Sequence, residues 1–226
     1  MNGGRKSHMR LPLELRPTNR RVEAFSDGVF AIVVTIMVLE IRIPDSLAFA
    51  NDRAALMQFA GLLGTYALSF IVVAILWGSH HYLIYTLPKA DRTTIWLNNN
   101  VLFWITLIPL VARFFGQHPM APRAAGAWAF VIMMCTIALS LLRLHAHRVS
   151  HNELHKALHQ RVFRKAFLAI AAYAATIPLA FYSMKLVWTC FLILPLLFIL
   201  PVTRRPRDDS AAFREERAAS EPQTSH

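Results

Sequence analysis

The sequence predicts an all-α integral membrane protein with six transmembrane helices. First, 55% of its 226 residues are hydrophobic and only 16% are charged, which is too little charge for a soluble domain of this length. Second, the apolar residues fall into six runs, and a helix of about 20 residues rises 1.5 Å per residue to cross the roughly 30 Å core of a bilayer. Third, the basic residues alternate between loops as the positive-inside rule requires.

The six runs define the predicted organisation of the chain. The spans are 24–43, 55–77, 94–114, 124–142, 166–182 and 184–202. Residues 21–203 thus form one transmembrane domain, preceded by a polar N-terminal arm, 1–20, and followed by a charged tail, 204–226, whose composition predicts disorder. Six spans leave no room for a soluble catalytic domain, so we expect no enzymatic activity.

The distribution of charge predicts the topology. When the loops are taken alternately, 19 of the 24 Lys and Arg residues lie on the side of the two termini. Both termini are therefore expected in the cytoplasm and the spans in the cell membrane. The net charge of +11 is explained by topology, so we expect no nucleic-acid partner. Cys135 and Cys190 lie within spans and do not indicate a disulfide framework.

The first span has two different faces. On a helical wheel, an apolar seam contains Phe25, Ile32, Ile36 and Leu39, with Thr35 at its edge, and Asp27 points nearly the opposite way. Taken alone, this spacing favours packing of the seam against other helices over a pore. A carboxylate within a span costs a few kcal/mol unless it has polar partners.

Two residues of the next spans are at the right depth to be those partners. His80 lies at the cytoplasmic end of the second span, and Asn98 lies at the cytoplasmic start of the third. We expect them to form a hydrogen-bonded cluster with Asp27, Arg21 and Ser26 that holds the first helix in position. The alternative is a direct role of Asp27 in handling protons or ions.

The later elements follow from their capping and breaking residues. Asn51 and Asp52 are expected to cap the second helix, and Pro109 lies within the third span. Ser150 and Glu153 form a capping box that starts a helix leading into the fifth span. The link around Ser183 is short enough to require a tight hairpin.

Four histidines recur every four residues and therefore share one helical face: His147, His151, His155 and His159. Such spacing suits a metal ion. They alternate, however, with basic residues that would repel a cation, and Glu153 is already used for capping. We therefore interpret this face as solvated, and we expect no bound metal or cofactor.

The first span also carries a recognisable motif. The sequence Arg21-x-x-x-Phe25-Ser26-Asp27 resembles the signature of the transmembrane protein 175 family of potassium channels, in its prokaryotic form. Supporting matches follow in chain order, and the resemblance covers about residues 20–115: Trp77-x-x-His80, Asp91, Asn98 and Pro109.

The resemblance implies a homotetramer whose central pore is lined by the first helix of each subunit, without the TVGYG filter of other potassium channels. By position, rings of Ile32, Ile36 and Leu39 would form the constriction, and Thr35 would add hydroxyls for selectivity. A polar network would support the pore helix from behind: Arg21, Phe25, Ser26, Asp27, Trp77, His80 and Asn98. The implied partners are K⁺ ions, the bilayer and further copies of the chain.

Two other functions compete with a channel. A secondary transporter would require broken helices and charges near the midplane, and an inverted repeat would support it, yet no charge lies mid-membrane. A membrane enzyme with histidine boxes would require bound iron or zinc. The motif favours the channel over both.

Overall fold

The computed structural model describes residues 19–41, 53–87, 89–149 and 153–199. For residues 153–161, 197 and 199 it describes the backbone only. Within these ranges the chain is helical and contains no strand. The helices are α1 (Asn19–Leu39), α2 (Arg53–Tyr85), α3 (Arg92–Thr106), α4 (Ile108–Gln117), α5 (Pro122–Val149), α6 (Glu153–Leu179) and α7 (Met184–Ile199).

Five segments of the described chain are long and apolar enough to cross a membrane. They are α1, α2, α3 together with α4, α5, and α6 from Val162 onward. The last helix, α7, is apolar but has only 16 residues, about 24 Å at 1.5 Å per residue. The structure confirms the all-α membrane class, and the count of six spans remains a prediction.

The helix boundaries differ from the predicted spans at several points, three of which bear on the candidate site. α1 ends at Leu39 rather than at residue 43, and α2 continues eight residues beyond Trp77 to Tyr85. The predicted third span is divided at Leu107, because Pro109 has no N–H to bond the carbonyl of Ile105.

The core of the bundle surrounds α5. Its Trp128 is fully buried and packs against the rings of Phe115, Tyr173 and Phe191 from α4, α6 and α7. The indole N–H of Trp128 donates a hydrogen bond to Ser69 Oγ at 3.0 Å. This aromatic cluster fixes α5 at the centre, while α1 packs at one side against α2, α3 and α4.

The hairpin between α6 and α7 is as tight as expected. The amide of Ser183 donates to the carbonyl of Leu179 at 2.9 Å, and α7 begins at the next residue. Four other expectations lie outside the described residues: the Asn51–Asp52 cap, the Ser150–Glu153 box, the side chains of His151, His155 and His159, and the two polar ends of the chain.

Candidate functional site

The predicted pore helix, α1, has one covered and one uncovered face. Val33 and Phe30 are only 2% and 3% exposed because they pack into the bundle. On the seam, Ile32 is 58% exposed, Ile36 41% and Leu39 78%. Apolar side chains uncovered along one line of a helix are typical of a surface that contacts lipid or another subunit.

Thr35 lies on the same uncovered face. Its hydroxyl donates a hydrogen bond to the backbone carbonyl of Ile32 at 2.9 Å. The proton is therefore turned towards the helix, and the lone pairs of the oxygen remain available as acceptors. An oxygen in this state can coordinate a cation through its lone pairs.

An open groove of about 410 Å³ runs beside the seam, between α1 and the junction of α3 and α4. Ile32 and Ile36 form one wall, and Pro109 and Leu110 form part of the other. The break at Leu107 lies at this wall, since Thr106, before it, and Pro109, after it, both line the groove. The groove is large enough to receive side chains from a neighbouring molecule.

Behind the seam, a buried chain of hydrogen bonds connects three helices. His80 Nε2 lies 2.6 Å from Asn98 Oδ1, and Asn98 Nδ2 donates to Ser26 Oγ at 3.0 Å. Ser26 Oγ in turn donates to the carbonyl of Val22 at 2.7 Å. Every donor has one acceptor if His80 carries its proton on Nε2, so that tautomer satisfies the network. The three side chains are at most 1% exposed, so the bonds are shielded from water.

A second polar group lies on an adjacent side of α1. The indole N–H of Trp77 donates to Asp27 Oδ1 at 2.9 Å, and the Trp77 ring stacks on His81. His81 Nδ1 lies 3.3 Å from Glu23 Oε1. Glu23, Asp27 and His81 each bring one ligand atom within 4.8 Å of the others, so they are the residues here with the chemistry to hold a cation.

The structure therefore corrects the single cluster expected from the sequence. Ser26 faces α3 whereas Asp27 faces α2, since successive residues of a helix differ by about 100° in direction. Arg21 and Phe25 belong to neither group, because their wheel positions lie near that of Ile32. Both side chains are exposed, Phe25 by 61%.

Several polar contacts were not predicted. The Asn19 side chain accepts from the amide of Ala90 at 2.6 Å and ties the start of α1 to the α2–α3 connection. Arg113 pairs with Glu40 at 2.8 Å. Asp91 caps α3 by accepting from the amide of Thr94, which a search for N-cap residues before a helical run would have detected.

Asp91 also accepts a hydrogen bond from the ring of His145 at 3.1 Å. Partial burial raises the pKa of Asp91, but the hydrogen bonds from the Thr94 hydroxyl and amide and from His145 outweigh it. The net effect lowers the pKa below its ordinary value of 3.8. The carboxylate is therefore ionised at neutral pH and joins α3 to α5 beside the polar network.

Comparison with known proteins gives a consistent result. Residues 21–109 match the family model described as endosomal/lysosomal potassium channel TMEM175. A potassium channel of Chryseobacterium sp. (strain P1-3) is 31% identical over 83% of this chain and 95% of its own length. The endosomal/lysosomal proton channel TMEM175 of Homo sapiens is 24% identical over 88% of this chain, which spans 42% of that relative.

A solved structure has the same fold. The crystal structure of a lysosomal potassium-selective channel TMEM175 homolog from Chamaesiphon minutus aligns with a TM-score of 0.71, covering 80% of this chain and 96% of that one at 24% identity. The Chryseobacterium relative is similar over nearly its whole length. The chain belongs to the TMEM175 family of channels.

Proposed function

We propose that this chain is one subunit of a potassium channel and that α1 lines the pore. The observation that carries the proposal is the division of α1 into a face fixed by buried hydrogen bonds and a seam with Ile32 and Leu39 uncovered. The bacterial relatives from Chryseobacterium and Streptomyces collinus are named potassium channels. The family and its named relatives are ion channels, so the chain is not an enzyme.

Four copies of the chain are proposed to surround one axis, with their seams facing it. This arrangement would cover the exposed Ile32, Ile36 and Leu39 and place three apolar rings within about 10 Å along the pore, at 1.5 Å per residue. Such rings exclude bulk water, and a narrow apolar constriction can close by dewetting. The constriction would therefore also act as the gate.

Selectivity is proposed to come from Thr35, between the first and second rings. An ion that passes an apolar ring must lose part of its hydration, and K⁺ loses water at a smaller cost than Na⁺. Because the Thr35 proton is held by the Ile32 carbonyl, four hydroxyl oxygens would face the pore as acceptors. They would replace part of the water that K⁺ loses.

The two polar groups behind α1 are proposed to set the position of the rings. Ser26 bonds to Asn98 on α3, and Asp27 bonds to Trp77 on α2. These directional contacts resist rotation of α1. The exposed Arg21 and Phe25, on the seam side, are then available to contact the neighbouring subunit.

The topology follows from the distribution of basic residues. We expect the channel in the cell membrane with both termini in the cytoplasm, because 19 of the 24 Lys and Arg residues lie on that side of the predicted spans. The polar groups around Ser26 and Asp27 would then lie at the cytoplasmic end of the pore. Leu39 would lie towards the outside.

The experiment is a measurement of reversal potential across a bilayer that contains the purified channel, with opposed K⁺ and Na⁺ gradients. Wild type should reverse near the K⁺ potential, and Ile32→Asn should shift the reversal potential towards zero or increase the leak, since an amide wets the ring. The matched control is Ile193→Asn on α7, which is 50% exposed and outside the seam. Absence of current in a wild type shown to be tetrameric, or equal effects of the two variants on the reversal potential, would reject a pore lined by α1.

A further inference from the structure

Arg143 is a buried cation with no hydrogen-bond or ion-pair partner among the residues that the structure describes. The sequence counts it among the cytoplasmic flanking charges, but the structure places it inside the bundle on α5, where it is only 5% exposed. No ion pair or hydrogen bond of the described residues involves its guanidinium. A buried guanidinium normally has several acceptors, because it carries five N–H donors and a permanent charge.

The guanidinium lines a cleft between α2, α5, α6 and α7, which is open on one side and has a cavity volume of about 40 Å³. Ser79 and Ser140 lie near the same end of the cleft, and no described residue that lines it carries a carboxylate. The polar end of the cleft thus offers a cation and hydroxyl groups, without a negative charge to balance them.

The rest of the cleft is mainly apolar, apart from Thr136 and Tyr173. Ile132 also lines it and lies eleven residues before Arg143 on α5, about 16 Å along the helix. Val72, Leu139 and Phe198 contribute apolar walls from three helices. The cleft therefore suits an amphipathic ligand that has one charged end and a long hydrophobic part.

An unpaired charge within a membrane protein is costly, and such residues face partners or water-filled cavities. The planar guanidinium matches phosphate oxygens in a bidentate geometry. We propose that the cleft binds a phosphate group through Arg143, and that this phosphate is the headgroup of an anionic lipid whose acyl chain lies along the apolar residues at the open side of the cleft. Basic pockets between transmembrane helices on the cytoplasmic side are suited to such headgroups.

The test measures the thermal unfolding of the purified full chain in detergent by tryptophan fluorescence. Three probes are added separately: dioleoyl phosphatidylglycerol, dioleoylglycerol with the same tails and no phosphate, and inorganic phosphate. Phosphatidylglycerol should raise the melting temperature by several degrees when it is well above its Kd, and dioleoylglycerol should not. An equal rise with inorganic phosphate alone, and no further gain from lipid, would support the phosphate site and reject the lipid source.

Variants separate this site from non-specific lipid effects. Arg143→Gln should abolish the shift in melting temperature caused by phosphatidylglycerol. Arg143→Lys should weaken apparent binding by roughly tenfold, because lysine keeps the positive charge but lacks the planar guanidinium that binds phosphate through two N–H groups. The control Arg148→Gln, an exposed position on the same helix, should respond like wild type. A full shift in Arg143→Gln, or an equal shift with dioleoylglycerol, would overturn the proposal.

The same variant distinguishes binding from a structural role. Without added lipid, Arg143→Gln should unfold at the same temperature as wild type or higher, since the substitution removes an unpaired buried charge. A lower melting temperature without lipid would mean that the guanidinium is satisfied within the fold, which contradicts the proposal. Neither measurement uses conduction, so the result does not depend on which ion the channel passes.

Discussion

Replacement of Asn98 by alanine tests whether the buried network supports α1. Asn98 is 1% exposed, bonds to His80 through its oxygen, and bonds to Ser26 through its nitrogen. Alanine removes both bonds and leaves the His80 ring N–H without an acceptor. Ser26 keeps its bond to the Val22 carbonyl, so the loss is confined to the contacts between helices.

The size of the effect follows from these two bonds. A hydrogen bond between membrane helices contributes about 0.6 kcal/mol on average and up to about 1.7, and a buried donor left unsatisfied costs about 1–3 kcal/mol. We therefore expect Asn98→Ala to reduce the free energy of unfolding by about 1–3 kcal/mol.

The assay is reversible unfolding in mixed detergent micelles, followed by tryptophan fluorescence. Asn99→Ala is the matched control, because Asn99 is the next residue on α3 and is exposed. A Ser26→Ala and Asn98→Ala double-mutant cycle then isolates the coupling between α1 and α3. Equal destabilisation by Asn98→Ala and Asn99→Ala, or a coupling near zero, would refute a supporting role for this network.

Three further predictions follow from the other polar contacts. Thr35→Val should lower the K⁺ to Na⁺ permeability ratio by roughly fivefold, as expected if the lost hydroxyl contact contributes about 1 kcal/mol. Thr35→Ser keeps the hydroxyl and should preserve the ratio. Unchanged reversal potentials in both variants would exclude the hydroxyl from selectivity. Arg113→Gln should cost less than about 1 kcal/mol of stability, because its pair with Glu40 is partly exposed, and a double-mutant cycle with Glu40→Gln measures it. Since the pKa of Asp91 is lowered in the fold, its ionised form stabilises the protein above the ordinary value of 3.8. This contribution disappears as pH falls through the lowered pKa. The melting temperatures of wild type and Asp91→Asn should therefore differ at pH 7 and converge at low pH. A difference that stays constant with pH contradicts a stabilising role for the ionised Asp91.

The first helix was largely predictable because its information is local. The 100° spacing of helical residues already separated the seam of Ile32 from Asp27, and the uncovered face in the structure follows that division. The same wheel placed Phe25 on the seam, and the same spacing puts Arg21 near it. Phe25 was assigned to the rear network from the motif, and Arg21 from its charge beside Asp27; neither argument states the direction in which a side chain points.

The contacts between distant helices could not be read from the sequence. The pair of Glu40 and Arg113 depends on the packing of α4 beside α1. The bond between Asp91 and His145 depends on the packing of α5 against α3. Arg143 was misread for a related reason: a positive charge near the end of a span is normally in water, and its burial depends on how α2, α6 and α7 surround it.

The polar network explains why the seam faces where it does. Lipid tails are as apolar as Ile32 or Leu39, so the hydrophobic effect does not decide which side of a membrane helix meets protein. A hydrogen bond does, because the buried amide of Asn98 on α3 donates to Ser26 Oγ only when Ser26 faces α3. Ile32 lies six residues later, about 120° around the helix from Ser26, so fixing Ser26 turns the seam away from α3. Few side chains thus set the rotation of α1, and the apolar residues of the seam can vary in size without losing their direction.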